Sequence, residues 1–134
     1  MQTNPQNITF LDMAGKSAPY LLIASVRDLK EKLIELLAQE PRFVEFKSAA
    51  GNRLQMGLGG RYACAQFLNQ DNTPPYLCAK AKIVHTLSEV EFLCGGTETP
   101  IPPELCLSPP EAFHIAEWFY LTGERDAGFE WIEV

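Results

Sequence analysis

Apolar residues recur three and four positions apart between Val26 and Gln39, with Val26, Leu29, Leu33, Leu36 and Leu37 on one face and Lys30, Glu31, Lys32 and Glu35 on the other. That period predicts an amphipathic helix. Ser25 and Asp28 make a start resembling a capping box, with Asp in place of the usual Glu or Gln, and Pro41 stops the helix. A second helix is predicted from Ser108-Pro109-Pro110-Glu111, where Ser108 caps, proline suits the first helical position and Glu111 stands third; Gly123 closes it. Ala112, Phe113, Ile115, Ala116, Trp118, Phe119, Tyr120 and Leu121 make it apolar around most of its circumference. Burial on more than one side is the expectation, and presentation of aromatic surface to a partner the alternative.

Between the helices the period changes to two. Leu54, Met56 and Leu58 alternate with Arg53, Gln55 and Gly57 after a Gly51-Asn52 turn, and Phe43 to Lys47 reads as the hairpin partner. Tyr62 to Leu68 is a third strand, ended by the polar, proline-rich Asn69 to Pro75 loop. A fourth is predicted from Leu77 to Val84. Val90 and Phe92 alternate with Glu89 and Glu91 in the next, which sets Lys80 and Lys82 across a hairpin from Glu91 and Glu89. Pro100 to Pro103 reads as an extended loop, since proline cannot continue a ladder. Short strands are expected at Ile8 to Asp12, Tyr20 to Ile23 and Phe129 to Glu133. The expected fold is α+β: one domain over residues 1–134, with a mainly antiparallel sheet of about five to seven strands and two helices packed on one face.

Composition adds one informative fact. The 134 residues carry a net charge of -6, unevenly spread: residues 1–82 hold ten bases and seven acids, a net of +3, whereas residues 83–134 hold ten acids and Arg125 alone as a base, a net of -9. An acidic segment on a compact domain suits a basic partner, or simply a solvated face. The absence of clustered Lys and Arg argues against a nucleic-acid binder. Apolar stretches such as Ala112 to Leu121 fall short of the roughly 20 residues of a span, and the first residues lack a signal peptide's basic start, so no membrane association and a cytoplasmic location are expected.

Cys64, Cys78, Cys94 and Cys106 stand 14, 16 and 12 positions apart, with no Cys-x-x-Cys pair, and read as reduced, buried thiols. His85 and His114 have no metal-ligand spacing. Gly57-Leu58-Gly59-Gly60-Arg61 lacks the Lys-Ser/Thr ending and following helix of a phosphate loop, and reads as a bulged turn. Cys94-Gly95-Gly96 is a second glycine break. Glu89 and Glu91 share a strand face, more simply a solvated one. No catalytic residue, metal or cofactor is expected, and the chain reads as a non-enzyme.

Phe92-Leu-Cys-Gly-Gly-Thr-Glu-Thr-Pro-Ile-Pro102, the aromatic helix Ala116-Glu-Trp-Phe-Tyr-Leu-Thr-Gly123 and the closing Phe129-Glu-Trp131 together resemble immunity protein family 1 of bacterial polymorphic toxin systems. The upstream Leu54-x-Met56-x-Leu58-Gly59-Gly60 is similar to that family too, so the resemblance covers most of the chain from Val26 onward. It implies an intracellular inhibitor that binds and neutralises a cognate toxin domain, with nucleic-acid deaminases among such toxins. It supplies no catalytic residue, and its pattern residues Gly95, Gly96, Trp118, Gly123 and Trp131 read as structural. The charge split places the expected toxin-binding face on Glu98, Glu104, Glu124, Asp126 and Glu130, against a basic substrate site. Monomer and homodimer both stay open. The alternatives are a secretion-chaperone-like module, which would dimerise through a helix and hold an unfolded segment in an apolar groove, and a small ligand-binding domain.

Overall fold

The computed structural model describes residues 8–12, 21–94 and 97–134. In chain order the elements are β1 (Ile8–Asp12), β2 (Leu21–Ile23), α1 (Val26–Leu37), β3 (Arg42–Lys47), β4 (Arg53–Leu58), β5 (Cys64–Leu68), β6 (Leu77–Ala79), β7 (Val90–Cys94), β8 (Thr97–Ile101), a 3-10 turn (Pro103–Leu105), α2 (Pro109–Thr122) and β9 (Trp131–Glu133). The fold is α+β, as its periodicities imply.

Both helices begin where their caps stand. The Ser25 hydroxyl accepts from the Asp28 N–H at 3.0 Å. At α2 the capping box is complete: the Ser108 hydroxyl accepts from the Glu111 N–H at 3.4 Å, and the Glu111 carboxylate accepts from the Ser108 N–H at 2.9 Å. Gly123 ends α2 at φ 74°, the left-handed conformation that glycine adopts most cheaply, with its N–H on the Phe119 carbonyl at 2.7 Å. α1 stops two residues short of Gln39, because Ala38 and Gln39 tighten onto the carbonyls of Glu35 and Leu36.

Seven strands form an antiparallel sheet in the order β2-β1-β3-β4-β5-β6-β9. α1 and α2 pack against each other and against β4 and β5 on one face. Leu29, Leu33 and Leu36 of α1, with Ala112, Ile115, Ala116, Phe119 and Tyr120 of α2, meet Phe46, Leu54, Met56 and Phe67 in one core. Phe67 meets Phe119 edge to face at 6.4 Å. The His114 and Trp118 side of α2 faces outward, so burial of this apolar helix is broad but not all-round.

β7 and β8 form an antiparallel hairpin joined to the sheet through the parallel pair Arg42–Leu93. It covers part of the other sheet face. Gly57 and Cys64 alternate with helix-facing residues and so point away from the helices, where Phe92 lies on them and Phe43 meets Phe92 at 5.8 Å.

Four expectations are corrected. The hairpin pairing Lys80 and Lys82 with Glu91 and Glu89 does not form: β6 ends at Ala79 and pairs with β5 and β9. The next three N–H groups find partners elsewhere, Lys80 on the Glu130 carbonyl (2.8 Å), Ala81 on the Glu104 carbonyl (2.9 Å) and Lys82 on the Glu111 carboxylate (3.1 Å), which draws the chain out of the ladder. Pro100 is not in a loop but in β8, opposite Glu91; among the described residues β8 pairs with β7 alone, so a missing N–H on its outer side costs nothing. The last strand starts at Trp131 rather than Phe129, and β5 at Cys64, with Ala63 bridging Leu107 instead.

Candidate functional site

The β7–β8 hairpin concentrates charge. Phe92 is fully buried, so alternation turns its neighbour Glu91 outward. Glu91 pairs with Pro100 and Leu93 with Glu98, which makes Glu91 and Glu98 diagonal neighbours across the hairpin. Glu40, two residues before β3, joins them around an open cleft of about 260 Å³ lined by Glu40, Pro41, Glu91 and Glu98. Hydrogen bonding of the Glu91 carboxyl to that of Glu98, and then the negative charge of Glu98, push the Glu91 pKa above the usual carboxylate range, with slight desolvation and Glu89 adding to the rise. Arg42 borders the patch, its Nε donating to the Glu40 carbonyl at 3.3 Å.

A second feature is residues 80–89, which leave the sheet after β6 and are held against the start of α2. Besides capping the helix, the Glu111 carboxylate accepts from the Lys82 N–H and lies 2.7 Å from Nε2 of His85. Burial pushes the Glu111 pKa up, but the N–H groups of Ser108 and Lys82, the His85 ring and the Ser108 hydroxyl outweigh it and hold the carboxyl below its ordinary value. The Tyr62 hydroxyl donates to the His85 carbonyl at 3.3 Å. So anchored, the segment leaves Ile83, Val84 and Leu87 exposed.

Of the acidic residues expected at an interface, Glu98 belongs to the hairpin patch. Glu104, Glu124 and Glu130 are exposed, yet they lie elsewhere: Glu104 on the 3-10 turn and Glu130 before β9, their carbonyls receiving the Ala81 and Lys80 N–H groups, and Glu124 beside the β3–β4 turn, accepting from Asn52 at 3.2 Å. Glu98 and Glu124 thus stand toward opposite ends of β3, about 16 Å of strand apart. Asp126 is corrected: it is only 2% exposed and organises its own loop, accepting from the Gly128 N–H (2.8 Å) and bonding Nδ1 of His114, while its carbonyl accepts from Trp131 Nε1 at 2.9 Å. It has no free carboxylate edge for a partner. Gly95 and Gly96 lie outside the described residues. Trp118 is partly exposed on α2, Gly123 is the helix cap, and Trp131 packs edge-on against Phe67 at 6.5 Å. Glu40 and Glu111 carry no local signal of these roles, because β3–β7 pairing and the docking of residues 80–89 are both long-range.

The remaining concavities offer less. A wide cleft of about 520 Å³ is lined by Lys47, Arg53, Gln70, Asp71 and Asn72, but Arg53 is engaged by Glu45 at 3.4 Å and by Asn72. A cavity of about 50 Å³ between Phe43, Cys64, Cys78, Ile101 and Leu105 is far below the size of small-molecule sites. Burial pushes the Cys64 thiol up and the Cys78 thiol up to about 11, so both are poor nucleophiles. Among the described residues no three metal-ligating side chains converge, and no helix is long and apolar enough to cross a membrane. No protein-family model matches the chain, and none of the curated proteins matches it.

Proposed function

We propose that this protein is an immunity-type inhibitor that binds a basic toxin domain and occludes its substrate site, a nucleic-acid deaminase being one such toxin. One observation carries the reading: Glu40, Glu91 and Glu98 line one open cleft, with Glu91 and Glu98 diagonal neighbours across the hairpin. A surface of this kind repels itself when free. A cationic partner relieves the repulsion, which favours association. The net of -9 over residues 83–134 extends the same sign beyond the patch and favours fast, steered encounter with a basic groove. The resemblance of the Phe92 to Pro102 and Ala116 to Gly123 segments to immunity protein family 1 supplies the class of partner.

The test is co-expression with the C-terminal domain of whatever secreted protein is encoded immediately upstream. A stable complex, with rescue of cells expressing that domain, is the expected result. A toxic domain that neither binds this protein nor is neutralised by it would sink the proposal.

A further inference from the structure

Residues 80–89 end in an apolar tip that the fold itself leaves uncovered. Ile83, Val84 and Leu87 are 68%, 59% and 95% exposed. The tip is nevertheless held in place: the Lys80, Ala81 and Lys82 N–H groups, the His85 ring and the His85 carbonyl all have partners in other elements. A fixed loop that presents three branched aliphatic side chains to water is the anatomy of a contact site rather than of a solvated connection.

Two neighbours extend it. Glu111, His114 and Trp118 are spaced three and four apart on α2 and so form one stripe. Glu111 grips the loop at the head of that stripe, and Trp118, 38% exposed, continues it. At the other end, Glu89 and Glu91 follow Leu87 within four residues, at most about 14 Å of extended chain. The apolar tip therefore adjoins the acidic hairpin.

We propose that Ile83, Val84 and Leu87 form the apolar centre of the partner interface, with Glu89, Glu91 and Glu98 as its charged rim. The proposal rests on the inhibitor reading above and adds the shape of the contact. A leucine 95% exposed stands proud of its surroundings, so the tip enters a concavity in the partner instead of offering a groove to an extended segment. The carboxylates beside it require that concavity to be basic. Lys82 is the base closest to the tip in the chain, and its ammonium is drawn 4.7 Å over the Phe129 ring. An apolar anchor set beside complementary charge is where binding energy concentrates in protein interfaces.

The test uses the full chain and the C-terminal domain encoded immediately upstream, with affinity read by calorimetry. The triple variant Ile83→Ser, Val84→Ser, Leu87→Ser should lose about tenfold or more in affinity with an unchanged melting temperature, since all three side chains are exposed. Ile34→Ser, which removes another largely exposed isoleucine, from α1, should bind as the unmodified protein does. Triple-variant binding at the unmodified affinity would place the interface elsewhere while leaving the inhibitor reading intact. If the unmodified protein self-associates and the triple variant loses that property but keeps toxin binding, the tip serves a second copy and the proposal falls. Failure of the unmodified protein to bind overturns both readings.

Discussion

Gly57 lies directly beneath Phe92: a Cβ at position 57 would stand 2.8 Å from the Phe92 ring and 2.6 Å from Sγ of Cys64. This contact seats the β7–β8 hairpin on the sheet face opposite the helices, and the exposed carboxylates of the hairpin take their positions from it. Gly57→Ala forces either the ring or the thiol to move within a close-packed layer. The expected cost is about 1–3 kcal/mol, read as a lower urea midpoint with an unchanged slope. An unchanged midpoint would mean that the hairpin is seated by other contacts.

The Glu111 carboxylate completes the α2 cap and also holds residues 80–89 through Lys82 and His85. Glu111→Ala should cost about 1–3 kcal/mol, more than the ordinary loss of a cap, because it leaves the Ser108 and Lys82 N–H groups without their acceptor. Amide exchange should rise at Lys82 and at the first turn of α2. The pH dependence follows from the same contacts. The folded pKa lies below the ordinary value of 4.5, so this stabilisation is fully present above 4.5 and is lost as pH falls below it through the depressed value. Glu111→Gln should remove that part of the acid transition, which a denaturation series from pH 6 downward would register.

The elements legible in the chain are those whose causes are local. Ser108, Pro109, Glu111 and Gly123 write the whole of α2 within sixteen positions, and the Gly51-Asn52 turn writes the β3–β4 hairpin. What stays hidden depends on partners far along the chain. The alternation from Leu77 to Val84 is equally good for a long strand or a short one, and the outcome is decided by acceptors at Glu104, Glu111 and Glu130. Charge counting locates an acidic segment of the chain but cannot separate Glu98, on the surface, from Asp126, folded under its own loop. The Glu40–Glu91–Glu98 patch is illegible for the same reason: it exists only because β7 docks beside the start of β3.

Burial also governs the thiols. Cys78, pushed up to about 11, is almost entirely protonated at pH 8, and Cys64, raised further, is more so. Iodoacetamide at pH 8 should label both far more slowly than it labels a free thiol, followed by full labelling in denaturant, with peptide mass spectrometry assigning each site. Rapid native labelling of Cys64 would mean that the hairpin opens from the sheet on the labelling timescale.

The raised pKa of Glu91 offers the most direct check on the acidic patch. Its pKa is raised chiefly by the hydrogen bond shared with Glu98 and then by the charge of Glu98, so Glu98→Ala removes both causes and should return Glu91 toward the ordinary value of 4.5, read from the side-chain carboxyl carbon by NMR titration. The sign for folding is opposite to that of Glu111: with the folded pKa above the unfolded one, the favourable contribution is complete below 4.5 and is lost as pH rises through the raised value. Repulsion is then greatest at neutral pH, where Glu98→Ala should be neutral or slightly stabilising to the free protein. Toward a basic partner the order reverses, because the variant has lost one of the charges that the partner neutralises. Affinity should therefore fall in Glu98→Ala at neutral pH, and in the unmodified protein it should weaken as pH drops through the Glu91 value and that carboxylate takes up its proton. An affinity independent of pH over that range, with Glu91 titrating as stated, would separate the patch from the interface.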